Sequence, residues 1–144
     1  MTVTPYLIVR DARGALAFYA AAFGAVEVFR LVDPGDARIG HAEFEIGTTR
    51  LMLADEYLDF GAVSPDGIGG SPVKFTVRVT DADAAMARAP AAGATEIRPV
   101  KDQFFGDRSG VVQDPFGHAW TLSQTVDELD PTTMQARWDA AMAG

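Results

Sequence analysis

The stretch Val9 to Ala22, VRDARGALAFYAAA, returns seventy residues later as Val79 to Ala92, VTDADAAMARAPAA. Asp11 falls on Asp81, Ala12 on Ala82, Ala15 on Ala85 and Leu16 on Met86. After a one-residue slip, Gly24-Ala25-Val26-Glu27-Val28 falls on Gly93-Ala94-Thr95-Glu96-Ile97. Arg38 then matches Arg108, Gly40 matches Gly110 and Gly47 matches Gly117. Two copies are too few for a solenoid, so the repeat predicts a pair of pseudo-symmetric modules sharing one core.

Each copy reads alike. A β-rich run, Val3 to Arg10 or Val73 to Thr80, precedes an aspartate placed to cap a helix. The alanine-rich helix follows, with Leu16, Tyr19 and Phe23 (or Met86) as its apolar stripe, and Gly24 or Gly93 as its stop. Pro90 predicts a second helix that is short or kinked in its last turn. Three strands come next: 25–32, 41–46 and 50–54 in the first copy, 95–99, 109–113 and 118–125 in the second. The order is βαβββ twice, an α+β architecture. The first module spans 1–58, a Gly/Pro-rich linker 59–72, the second module 73–125 and a helical tail 126–144. In that tail Asp130 caps a helix with Pro131 at its first position, and Met134, Trp138 and Met142 form a narrow stripe. The stripe is expected to pack on its own domain rather than on a partner subunit.

Composition narrows the function. The 144 residues suit one ordinary domain, and at 15.4 kDa the chain buries about two-thirds of its unfolded surface. With no cysteine, disulfides, thiol nucleophiles and Cys-ligated zinc or iron–sulfur centres are excluded. Twelve Lys+Arg against 20 Asp+Glu give a net charge of −8 with no basic run, the wrong sign for a nucleic-acid binder. No apolar stretch is long enough for a membrane span, and the N-terminus lacks the basic and apolar regions of a secretory signal. The cytoplasm is the expected location.

Strand alternation sorts the side chains. The apolar parity (Phe75, Val77, Leu51, Leu53, Trp120, Leu122) belongs against the helices. The other parity (Lys74, Thr76, Arg78, Arg50, Met52, Thr121, Ser123) is too mixed for a dry core. A curved sheet with a polar, partly enclosed concave side fits, and such a surface is where a small molecule binds.

The doubled βαβββ order, together with TPYLIVRDARGALAFYAAAFGA, GHAEFEIGTTRLMLADE and GDRSGVVQDPFGHAWTL, resembles the vicinal oxygen chelate superfamily, within it the PhnB-like branch. That group holds glyoxalase I, extradiol dioxygenases, and fosfomycin and bleomycin resistance proteins. The resemblance, over residues 4–125, implies two modules forming a curved, half-open eight-stranded mixed sheet around a cavity, with helices outside, and a homodimer. It also implies ligand positions for a divalent ion at Thr4, Met52, Lys74 and Thr121. None is a competent ligand for a catalytic divalent ion, and the ammonium of Lys74 repels a cation. An alternative metal set needs His41, Glu43 and His118, the chain's only two histidines included. The expectation is therefore a metal-free, cofactor-free protein that binds a small molecule; the alternative is a metal-dependent lyase, isomerase or dioxygenase.

Ten residues are the candidate ligand contacts: Thr4, Tyr6, His41, Glu43, Met52, Lys74, Phe104, Phe105, Arg108 and Thr121. His41 reads as a cavity liner before a catalytic base. His118, in DPFGHAW, reads as capping the Gly117 turn. Lys74 either holds an anionic or carbonyl ligand or pairs with Glu43 or Glu45. Phe104-Phe105 form a cavity wall or core. Arg108 and Arg38 make loop-fixing ion pairs, or Arg108 clamps a ligand. Asp114 to Gly117 reads as a hairpin turn. No dinucleotide fingerprint, P-loop or nucleophile elbow is present.

Overall fold

A computed structural model describes all 144 residues. The first module runs β1 (Tyr6–Val9), α1 (Ala12–Phe23), β2 (Val26–Val32), β3 (Ile39–Ile46) and β4 (Thr49–Asp55). A short 3₁₀ turn, Leu58–Phe60, and α2 (Pro65–Ile68) occupy the connection. The second module runs β5 (Lys74–Arg78), α3 (Ala82–Ala92), β6 (Thr95–Asp102), β7 (Asp107–Gln113) and β8 (Ala119–Thr125), and α4 (Pro131–Ala143) ends the chain. Both βαβββ modules and the α+β class are as the repeat predicts.

The local chemistry explains the boundaries. The Asp11 carboxylate accepts from the N–H of Gly14, and Asp81 from that of Ala84, each satisfying an orphan donor at a helix start. A second acceptor backs each cap: Asp55 takes the Ala12 N–H at 2.7 Å and Gln124 takes that of Ala82 at 3.0 Å. The strand that ends each module therefore holds the start of that module's helix. Gly24 stops α1 in the left-handed region. Helix α3 runs through Pro90 to Ala92, because in the last turn the proline ring costs the helix one bond only.

The eight strands form two four-stranded mixed sheets, ordered β1-β4-β3-β2 and β5-β8-β7-β6. The eight strands of the expected half-open mixed sheet are thus divided evenly between the two modules, and the two sheets do not close on each other. In each sheet the first strand runs parallel to the last and pairs with nothing else, leaving β1 and β5 as free edges. The reason is where the apolar parity goes. Helices α1 and α3 pack on each other, and one core of 20 buried residues joins the inner faces of both sheets through them. Tyr19 stacks on Phe44 of one sheet and tilts against Trp120 of the other. With the apolar faces spent on a shared helical layer, both polar faces turn away from it.

Helix α4 departs from expectation. None of its residues is buried, and Trp138 and Met142 of its stripe are exposed. Its tie to the body is the β6–β7 turn, where Trp138 meets Phe104 edge-on and the Arg137 guanidinium donates to the Phe104 carbonyl. The chain has no helix long and apolar enough to cross a membrane.

Candidate functional site

On the polar face of the first sheet, register sets Tyr6, Met52, Glu43 and Phe29 in one row across β1, β4, β3 and β2. The next row holds Ile8, Ala54, His41 and Leu31. Ala54 contributes only a methyl group, so the Tyr6 phenol reaches across β4 and its Oη lies 2.8 Å from His41 Nδ1. On the far side of the imidazole, Nε2 lies 2.9 Å from Glu43 Oε2. The other Glu43 oxygen accepts from Arg50 Nη1 at 2.8 Å, and Arg50 Nη2 reaches Glu45 at 2.8 Å. A carboxylate only accepts, so when the His41 ring carries one hydrogen it belongs to Nε2, and Nδ1 then accepts from the Tyr6 hydroxyl. The result is a directed chain, Tyr6 to His41 to Glu43, anchored by Arg50.

Its electrostatics are consistent. Hydrogen bonds from His41 and then Arg50 hold the Glu43 carboxyl below the ordinary range, so it is ionised at neutral pH. Partial burial, then the Glu43 charge, raises the Tyr6 phenol and keeps its proton on. Phe29 and Leu31 flank His41 as exposed apolar walls, 40% and 59% accessible.

The polar face of the second sheet has the opposite character. Lys74, Thr76 and Arg78 of β5 face Ala119, Thr121 and Ser123 of β8. Arg98 and Lys101 of β6 lie on the same side, opposite Val111 and Ser109. Arg78 is tied to Asp107 at 2.7 Å, also meeting Ser123. Lys74 is exposed, and its expected rivals Glu43 and Glu45 both take Arg50 instead. Of the two readings of Lys74, internal pairing is therefore the one the geometry removes.

Thr4 precedes β1, half-buried, on the side of Tyr6. Thr4, Tyr6, His41, Glu43 and Met52 thus share one face, and Lys74 and Thr121 the other, and a single chain does not bring the two sets together. Three candidates lie on neither face. Arg108 points to the helical side, where Asp83 and Asp102 hold its guanidinium at 2.9 and 3.2 Å, so the loop-fixing reading holds and the clamp does not. Asp83 is held below the ordinary carboxylate range by Arg108. Phe104 and Phe105 meet edge-on in the β6–β7 turn, beside α4, the first half-buried and the second exposed.

His118 needs a correction too. It donates its backbone N–H to Asp114, whose carboxylate is the cap of the turn, while its ring is buried beside Phe75 and aims Nε2 at the Ile8 carbonyl, 3.4 Å away. It cannot join His41 and Glu43, so the alternative metal set does not converge, and no group of three His, Cys, Asp or Glu on the chain does. The corner positions Thr4, Met52, Lys74 and Thr121 present hydroxyls, a thioether and an ammonium, which do not fit a catalytic divalent ion.

A concavity of about 730 Å³ lies elsewhere, at the free edge of β5. Phe23, Leu51, Phe75 and Trp120 supply its apolar wall, with Arg78 and Arg88 among its polar residues. None of the ten candidates lines it. Its pseudo-symmetric counterpart, beside the end of β1, is filled: Pro65 of α2 lies against Gly117, and Arg10 bridges Asp66 and the Pro115 carbonyl. The linker plugs one groove of the pair and leaves the other open. Sequence reading missed the Arg50 anchor and the Phe29–Leu31 wall. Arg50 was placed on the right face by parity, but its partners depend on register.

Comparison with known proteins agrees with this fold. The model of the Glyoxalase/Bleomycin resistance protein/Dioxygenase superfamily matches residues 2–122. The protein Rv0887c of Mycobacterium tuberculosis is 42% identical over 137 residues, covering 93% of this chain and 80% of its own. The crystal structure of the Arabidopsis thaliana At5g48480 product is 27% identical with a TM-score of 0.69, over 85% of this chain and 98% of its own. The PhnB protein from Bacillus cereus is 17% identical with a TM-score of 0.67, over 86% of this chain and 99% of its own, which speaks for the fold alone.

Proposed function

The chain belongs to the glyoxalase/bleomycin resistance protein/dioxygenase superfamily, and from that premise we propose that it is a small-molecule-binding protein that uses no catalytic metal. The observation that carries this is the chemistry of the two polar sheet faces. Side chains at the metal-ligand corners are unsuited to a divalent ion, while Lys74 offers an unengaged cation and the Tyr6–His41–Glu43 chain a preorganised polar patch. The paired GDR and DPFGH segments support placement in the PhnB-like branch.

The binding unit in this reading is a homodimer, in which the first sheet of one copy covers the second sheet of the other. Three features support it. The single chain exposes 8398 Å², against about 7,200 Å² for a compact monomer of this mass. Phe29, Leu31 and Val26 stand exposed together on the first sheet. That face carries Glu43 and Glu45 against Arg50, and the second sheet's face carries Lys74, Arg78, Arg98 and Lys101 against Asp107, so the two complement each other in charge.

A panel of small organic anions, read by melting temperature and calorimetry, tests the function. Lys74→Ala is expected to weaken a bound anion about tenfold while moving stability by no more than about 1 kcal/mol. A ligand that instead responds to Ala85→Phe, which fills the groove at the β5 edge, and ignores Lys74→Ala would move the site there. Stoichiometric Fe, Zn, Ni or Mn in protein purified without chelator, lost on His41→Ala, would overturn the metal-free reading.

A further inference from the structure

The geometry points to a proton relay: the first sheet's face accepts the proton of a neutral, weakly acidic hydroxyl compound (a phenol or enol) through Tyr6 to His41. This rests on the reading that the sheet faces bind a small molecule, and adds what that molecule is and what happens to its proton.

The direction of the chain carries the argument. Glu43, anchored by Arg50, fixes the His41 hydrogen on Nε2 and leaves Nδ1 as a base whose one neighbour is the Tyr6 hydroxyl. The phenol is 48% accessible, so while its hydrogen is committed to Nδ1, an oxygen lone pair is open to a ligand. An incoming O–H donates to Tyr6 Oη. When its proton passes to Oη, the Tyr6 proton passes to Nδ1. The products are the ligand oxyanion, a neutral Tyr6 and a His41 imidazolium whose charge meets the Glu43 carboxylate 2.9 Å away. No proton enters or leaves the protein–ligand pair.

Ligand class follows from the surroundings. Within one chain the charged groups around the imidazole are Glu43 beside it and Arg50, which already bridges Glu43 and Glu45, and in the proposed homodimer the basic face of the second sheet lies across from them. Beside His41 itself the chain's own groups leave one negative charge unbalanced, which disfavours a permanent anion in contact with them, whereas a neutral acid brings its own compensation by charging His41. The Phe29 ring, 5.7 Å from that of His41, and Leu31 provide flat apolar walls for a planar molecule.

The probe is p-nitrophenol, whose absorbance separates the neutral and ionised forms, titrated below its own pKa with proton release followed by calorimetry in buffers of different ionisation enthalpy. Wild type is expected to bind it as the phenolate with no net proton release. Tyr6→Phe and His41→Gln, checked for unchanged melting, are expected to lose the bound phenolate signal at least tenfold. ¹⁵N spectra of the two imidazoles, assigned with His41→Gln, are expected to show His41 as the Nε2–H tautomer at neutral pH. Binding as the neutral phenol, a phenolate signal indifferent to both variants, stoichiometric proton release, an Nδ1–H tautomer or no saturable binding would each overturn the relay. Because the anion panel with Lys74→Ala is read separately, the relay can fail while small-molecule binding stands.

Discussion

Asp114 is the residue on which the two modules meet. Its buried carboxylate accepts from Tyr19 Oη at 2.6 Å, from Trp120 Nε1 at 2.9 Å and from the N–H groups of Phe116 and His118. Tyr19 belongs to the first module and the others to the second, so one side chain closes a turn and latches the halves. Asp114→Ala strands four buried donors and is expected to cost about 3–5 kcal/mol in denaturant unfolding. Asp114→Asn keeps part of the acceptor capacity and should cost less. Burial, then the Asp114 charge, pushes the Tyr19 phenol well above its ordinary value. A raised folded pKa means full stability below the unfolded pKa of about 10 and progressive loss above it. Glu43, Glu27, Asp33, Asp83 and Asp130 are all depressed, so their contributions hold above the unfolded carboxylate range and vanish as pH falls through the folded values. Unfolding curves across pH should therefore fall off at both ends, below about 4 and above about 10.

Among the elements, the helix starts and the β6–β7 turn are the places where one atom matters. Asp11→Ala or Asp81→Ala removes the side-chain cap while Asp55 or Gln124 still holds the next N–H, so each is expected to cost about 1 kcal/mol. Gly106 is different. Its φ is +93°, and an added Cβ would lie 2.1 Å from the Asp127 carbonyl oxygen, backbone that cannot step aside. Gly106→Ala should thus cost more than either cap, about 2 kcal/mol or more, by thermal unfolding. For α4, with no buried residue, truncation before Asp130 should shift the melting temperature of the dilute chain by only a few degrees. A large loss would show that the helix packs on something a single chain does not contain.

At the scale of the molecule, the arrangement is a shared helical layer with two unlike polar faces and four free strand edges, β1, β2, β5 and β6. Such a chain is expected to self-associate, and the charge pattern makes the association selective. Arg98→Glu reverses a charge on the basic face without touching the core, and should raise the dimer dissociation constant about tenfold or more in sedimentation experiments. A monomer at all concentrations in the unmodified protein would overturn the dimer.

The repeat at a seventy-residue offset, the capping aspartates and the strand parity are local signals, and from them the sequence by itself determined the two βαβββ modules, the helix limits and which side chains share a face. Spacing also placed His41 and Glu43 on one strand face, and the register of β1 on β4 brought Tyr6 to them. What only the tertiary structure decided was how the halves face each other, because an apolar face is equally satisfied by any apolar partner and its pattern does not say which. Packing the two inner faces on one helical layer separated Lys74 from Glu43, turned His118 toward the Ile8 carbonyl and gave Arg108 to Asp83. Hydrogen bonds such as Tyr6 to His41 depend on register between strands far apart in the chain, and that is a property of the assembled sheet.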